Sequence, residues 1–185
     1  MPDLSGQPLC RYFGFTGMID DDGVTRLAAA FNLAVNEGCD EVHICLSSLG
    51  GYVHSGIYLY NHIRALPLKA VAHNVGSVVS IAVAVFLAAD ERYSSQHGVF
   101  MIHPTSISPQ AGMTATLLQS TLNSALADEA RTENILRERA SIPEGILADR
   151  RAKDVYIHPD DAVTFGLIQS VREFTVPQGN QVLQV

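Results

Sequence analysis

The 185-residue chain is 47% hydrophobic with a formal net charge of −7: enough apolar material for one well-buried core, and the wrong sign for gripping a phosphate backbone. Its lysines and arginines are scattered rather than gathered into a stripe, so nucleic acid is not expected as a partner. The longest apolar stretch, residues 78–89, is interrupted by Ser80 and falls far short of the roughly 20 residues that cross a bilayer, so no membrane span is expected.

The opening MPDLSGQPLC has neither a basic nor an apolar signal region, and Cys10, Cys39 and Cys45 form no CxxC pair. These features fit a cytoplasmic protein with reduced thiols. One domain spanning residues 1–185 is expected.

In chain order, residues 11–16 (RYFGFT) read as a strand, and Asp21 or Asp22 caps a helix on which Val24, Leu27, Ala28, Phe31 and Ala34 fall at helical spacing until Gly38. Residues 41–46 (EVHICL) read as a strand that breaks at SSLGG. Val53, Ile57, Tyr60 and Ile63 then mark a helix stopped by Pro67. Residues 69–73 supply the next strand, the GS at 76–77 opens a helix containing Ser80, and residues 99–103 supply a strand ending at Pro104. Such alternation predicts an α/β fold with a largely parallel sheet and helices packed outside it.

From Gly112 to about Ala140 there is no further Gly or Pro, and Ala, Leu, Glu and Arg dominate. This predicts one long helix, roughly 40 Å at 1.5 Å per residue, long enough to project from a small domain. Pro143 starts a short helix, Pro159 sits in the first turn of another that Gly166 ends, and residues 167–171 form a last strand. The tail, residues 177–185, reads as polar and loose.

Three residues stand out chemically. Ser80 follows GSVV within the first turn of its expected helix, where free N–H groups face a developing oxyanion; alone it reads equally as a small polar residue bonded back to a carbonyl. His103 ends an apolar strand, where α/β sheets place their active groups, though a half-buried structural histidine fits too. Asp154 lies in KDVYIHPDD, where it is also readable as a loop carboxylate or the partner of Lys153. The Gly50-Gly51 pair suits either a tight turn or backbone N–H groups turned toward a bound carbonyl. No GxSxG elbow and no histidines at HExxH spacing occur, so neither an α/β-hydrolase elbow nor a metal site is expected.

Taken together, SSLGG, GSVVS, FMIHP and KD followed by HPDDAVTFGLI resemble, in order, four motifs of the proteolytic subunit of the ATP-dependent Clp protease, in the crotonase-like superfamily. The resemblance covers about residues 11–172. It implies a β-α superhelical core of repeated β-β-α units with a projecting handle helix (region 104–141). It further implies Ser80 as nucleophile, His103 as general base, Asp154 as orienting acid, and the Gly51 and Ile81 N–H groups as oxyanion hole. The function implied is a serine endopeptidase, with no cofactor in the subunit, acting on peptides or unfolded proteins inside a homo-oligomeric chamber, a heptameric ring or stacked double ring.

The chain departs from the family's pattern at Leu49, Val78, Val79, Ala82 and Lys153, and PTSISPQAG carries two prolines where the family has a Gly-rich, substrate-pairing stretch. About ten residues precede the first strand, too few for the family's leading helix and axial loops, which leaves an AAA+ unfoldase partner open. Alternatives are a degenerate, non-catalytic ring subunit, a crotonase-like acyl-CoA enzyme, and a Ser-Lys dyad using Lys69 or Lys153.

Overall fold

The computed structural model describes residues 9–185; the expectation about a leading signal segment falls mainly on residues outside that range. In chain order the elements are β1 (Cys10–Thr16), α1 (Asp21–Asn36), β2 (Glu41–Ser48), α2 (Val53–Ala65), β3 (Lys69–Val79), α3 (Ile81–Leu87), β4 (Glu91–Ser94), β5 (Val99–Ile102), α4 (Ala115–Arg139), α5 (Glu144–Arg150), β6 (Val155–Ile157), α6 (Pro159–Thr164), β7 (Ser170–Val171) and β8 (Val182–Gln184).

The sheet runs β6-β5-β3-β2-β1-β8, with β4 bridging β3 to β7; every pairing is parallel except β5 with β6. Strand β3 forks. Its first half, residues 71–74, pairs with β4, and its second half, residues 77–79, pairs with β5 on the same edge. Asn74 is fully buried at the fork: its side-chain amide donates to the Val99 carbonyl (3.0 Å) and its oxygen accepts from the Gly76 N–H (3.1 Å). A buried amide with both ends bonded holds the two branches together without an orphaned polar group.

Helices form where caps and apolar stripes coincide. Asp20, rather than Asp21 or Asp22, caps α1 by accepting from the Gly23 N–H (2.9 Å), while Asp21 and Asp22 occupy the first turn, where the helix dipole favours negative charge. Leu27, Ala28, Phe31 and Ala34 are buried as their spacing predicts. Helix α3 is apolar on every side and every residue of it is buried, so it is the central helix of the core. Helix α4 buries only Thr132, Glu133, Ile135 and Leu136 near its C-terminal end. Its N-terminal part stands largely exposed, consistent with a projecting helix.

Arg92, 6% exposed, ties β4 to the end of the chain by donating to the carbonyls of Ala89, Gly166, Leu167 and Arg139. Burial lowers its pKa to about 10.

Three expectations are corrected. GSVV continues β3 instead of opening a helix, because Ser77, Val78 and Val79 find ladder partners in β5. Residues 91–94 and 155–157, for which the sequence predicts no element, form β4 and β6. The expected loose tail contains β8, which pairs with β1 through Tyr12↔Val182, Phe13↔Leu183 and Gly14↔Gln184, because β1 otherwise leaves an unpaired edge. Among the described residues no helix is long and apolar enough to cross a membrane.

Candidate active site

Ser80 occupies the corner between β3 and α3. Its N–H is held by the Met101 carbonyl (2.8 Å), and its carbonyl accepts from the Val83 N–H (3.0 Å). Between these restraints it adopts φ 59°, ψ −132°, the only positive φ of a non-glycine residue among the described residues. Such a conformation costs on the order of 1–3 kcal/mol and persists only where its surroundings enforce it. The chain thus makes a strand-turn-helix elbow without a GxSxG sequence.

His103 follows β5, which is hydrogen-bonded to the second branch of β3, so the fork brings the two residues together. His103 Nε2 lies 2.8 Å from Ser80 Oγ. With Nε2 unprotonated, the serine hydroxyl donates to it.

Asp154 immediately precedes β6, and the antiparallel register Ile102↔Val155 extended by one step sets it opposite His103. Paired residues on such a ladder have Cβ atoms about 4.5–5.5 Å apart. The side chain is exposed, and among the described residues no hydrogen bond joins it to His103.

The Gly pair lies against the elbow. Gly50 has φ +93°, and a Cβ there would stand 2.6 Å from Ser80 Cβ. Gly51 bridges Ile19: the Ile19 N–H donates to the Gly50 carbonyl and the Tyr52 N–H donates to the Ile19 carbonyl, both at 2.9 Å. A Cβ on Gly51 would stand 2.3 Å from the Ile19 carbonyl oxygen. This bridge leaves the Gly51 N–H pointing away from Ile19, and the Ile81 N–H is the first of α3; neither is bonded within the described chain. Gly51, Ser80, Ile81 and His103 line one cleft of about 440 Å³.

Several lining residues carried no signal in the sequence. Thr121, Ser124, Asp128 and Thr132 come from one face of α4, and Arg150, 2% exposed, also lines the cleft. Arg150 pairs with Glu129, whose other oxygen accepts from the Thr105 N–H (2.6 Å), so this ion pair fixes the start of the segment after His103. The sequence located this long helix but did not show which of its faces meets the cleft.

Leu49, Val78, Val79 and Ala82 are not among the residues lining this cleft: Leu49 is 74% exposed and lines a second cavity with Met18 and Ser77, and the remaining three are core residues. Lys69 pairs with Glu41 and Glu91, Lys153 with Asp149, and neither lines the cleft. Away from it, Cys10, Glu41 and His43 bring their ligating atoms within 4.8 Å of one another, a grouping that linear spacing did not show. The Lys69 ammonium already neutralises Glu41 there (2.9 Å).

The model of the Clp protease family matches residues 12–174. The chain belongs to the Clp protease family. It is 27% identical over 169 residues to ATP-dependent Clp protease proteolytic subunit 2 of Pseudomonas aeruginosa, covering 88% of this chain and 83% of the relative. Identity to proteolytic subunit 1 of Chlamydia felis is also 27%, over 151 residues, 80% of this chain and 72% of the relative. Among solved structures, a ClpP1 mutant from Listeria monocytogenes superposes with TM-score 0.78 at 18% identity, covering 89% of this chain and 92% of the other. That likeness shows the ClpP-like fold; membership in the family makes this a chain of the proteolytic-subunit type.

Proposed function

We propose that this member of the Clp protease family is an active serine endopeptidase. The observation that carries the reading is the 2.8 Å approach of His103 Nε2 to Ser80 Oγ at a strained elbow. His103 takes the hydroxyl proton as Ser80 Oγ bonds to a peptide carbonyl carbon, and the carbonyl π pair moves onto oxygen. The Gly51 and Ile81 N–H groups receive that oxyanion; one such donor typically contributes about 10²–10³-fold in rate. Collapse breaks the C–N bond, His103 protonates the departing amine, and water repeats the sequence on the acyl-enzyme. Asp154 orients the imidazole from the neighbouring strand end, its carboxylate turning inward when the ring assembles.

The exposed N-terminal part of α4 carries Leu117, Leu118, Leu122 and Leu126, each between 42 and 58% exposed. An apolar surface of that kind supports assembly through α4 into a heptameric ring or stacked double ring that encloses peptide or unfolded-protein substrates. The second reading is a degenerate, non-catalytic ring subunit, motivated by Leu49, Val78, Val79 and Ala82, which flank Gly50 and Ser80 along the chain. A fluorophosphonate probe tests the proposal: labelling is expected on the wild type and not on Ser80→Ala, and an unlabelled assembled wild type would refute it.

A further inference from the structure

Resting on the peptidase reading, we infer that the cleft beside Ser80 selects a basic side chain, arginine above lysine, for the substrate residue on the acyl side of the scissile bond. The wall facing that side chain is the inner face of α4. Thr121, Ser124, Asp128 and Thr132 follow one another at steps of three and four residues, so a single helical stripe presents them to the cleft.

The stripe is an acceptor surface. The Thr121 hydroxyl donates to the Leu117 carbonyl (2.9 Å), and the Thr132 hydroxyl donates to the Asp128 carbonyl (2.9 Å). With their protons committed to the helix, both hydroxyls retain only acceptor capacity toward a ligand, and the Asp128 carboxylate adds more. Leucine-like side chains would bury these oxygens without partners, whereas a guanidinium brings five N–H donors.

Charge points the same way. The cleft lining holds one acidic side chain, Asp128, and one arginine, Arg150. Arg150 is 2% exposed and already neutralised by Glu129, with Glu133 3.8 Å away. Among the described residues Asp128 pairs through one carboxylate oxygen with Arg131, which does not itself line the cleft. Among the described lining residues, the one anionic side chain that a ligand meets is therefore Asp128. Met18, Tyr52 and Ile107 contribute apolar surface on which the methylene stem of an arginine can lie.

The test separates this assignment from the chemistry. Ser80→Ala protein, assembled as the wild type is, is titrated by fluorescence polarisation with labelled tripeptides ending in arginine, in citrulline (its uncharged isostere) and in leucine, as mimics of the acyl-side product. The arginine peptide is expected to bind at least about tenfold more tightly than the other two, as charge-assisted hydrogen bonds predict. Asp128→Asn, introduced into the same protein, is expected to bring arginine down to citrulline. Leucine binding as well as arginine, arginine matching citrulline, equal weakening of all three by Asp128→Asn, or no binding by any peptide would overturn it. The arginine-citrulline comparison needs no cleft variant, so it stands even if Asp128→Asn folds poorly. Fluorophosphonate labelling reports on the peptidase reading alone: labelled protein that prefers leucine refutes only the pocket, and unlabelled protein that prefers arginine refutes only the chemistry.

Discussion

Gly50 and Ser80 touch across two loops, so closely that a Cβ on the glycine would fall 2.6 Å from that of the serine and 2.9 Å from the Val79 carbonyl oxygen. The glycine also carries φ +93°, where a Cβ costs about 1–2 kcal/mol in backbone strain alone. Gly50→Ala is therefore expected to lower thermal stability by at least that amount. Because the added atom pushes on Ser80 itself, labelling of Ser80 by a fluorophosphonate is expected to slow by about 10²-fold even in the folded fraction. A variant that loses stability and labels at the wild-type rate would show that the contact supports the fold without positioning the serine.

Asp154 is set opposite His103 by register but is not bonded to it in the isolated subunit. Asp154→Asn is expected to lower kcat for a fluorogenic peptide by roughly 10²–10⁴-fold with little change in melting temperature, since an exposed carboxylate contributes little to stability. His103→Ala should cost at least as much. Equal activity of Asp154→Asn and wild type would remove Asp154 from the mechanism.

The exposed leucines of α4 make assembly testable by charge. Leu122→Glu and Leu126→Glu together are expected to shift the protein to a smaller species in analytical ultracentrifugation while leaving the subunit folded by circular dichroism, because both residues lie outside the core. Unchanged sedimentation would place the assembly contacts elsewhere.

His73 links stability to pH. It is 4% exposed, stacked on Tyr93 and His43, with its Nε2 3.0 Å from His43 Nδ1, and its own Nδ1 finds no partner. Burial, then the neighbouring His43 and Arg172, lower its pKa from 6.5 to about 4, against smaller opposing effects of Glu41 and Glu91. The unfolded chain thus binds the proton first as pH falls. The stability held by neutral His73 is fully present above about pH 6.5, declines through the interval down to pH 4, and amounts to about 3 kcal/mol at most. Burial lowers the His43 pKa too, which steepens the decline. Melting temperature measured across that interval should fall with pH in the wild type and fall less in His73→Phe, whose baseline is lower because His43 loses a hydrogen-bond partner. Parallel curves would assign the pH dependence to other groups.

Much of the fold was legible in local signals. Periodicity located α1, α2 and the long α4, Pro143 and Pro159 marked the starts of α5 and α6, and apolar runs located β1, β2 and β5. The errors share one cause. Residues 76–79, the short β4 and the β8 tail have composition that suits more than one state, and each became a strand because a partner strand elsewhere in the chain offered hydrogen bonds. Strand pairing is non-local, and no window of sequence around Val78 or Leu183 contains the residues it pairs with.

The sequence by itself determined which residue types were available and their order: a serine after GSVV, a histidine closing FMI, an aspartate in KDVYIH, and a glycine pair after the EVHICL strand. Tertiary structure decided what they face. The fork of β3 at Asn74 carries Ser80 to within 2.8 Å of His103, the strain at Ser80 comes from bonds to Met101 and Val83 on either side of it, and the packing of α4 turns Asp128 rather than Leu126 toward the cleft. A linear pattern encodes the backbone preference of each segment. The distance between side chains from different segments depends on register and helix rotation, which are set by the burial of the whole core.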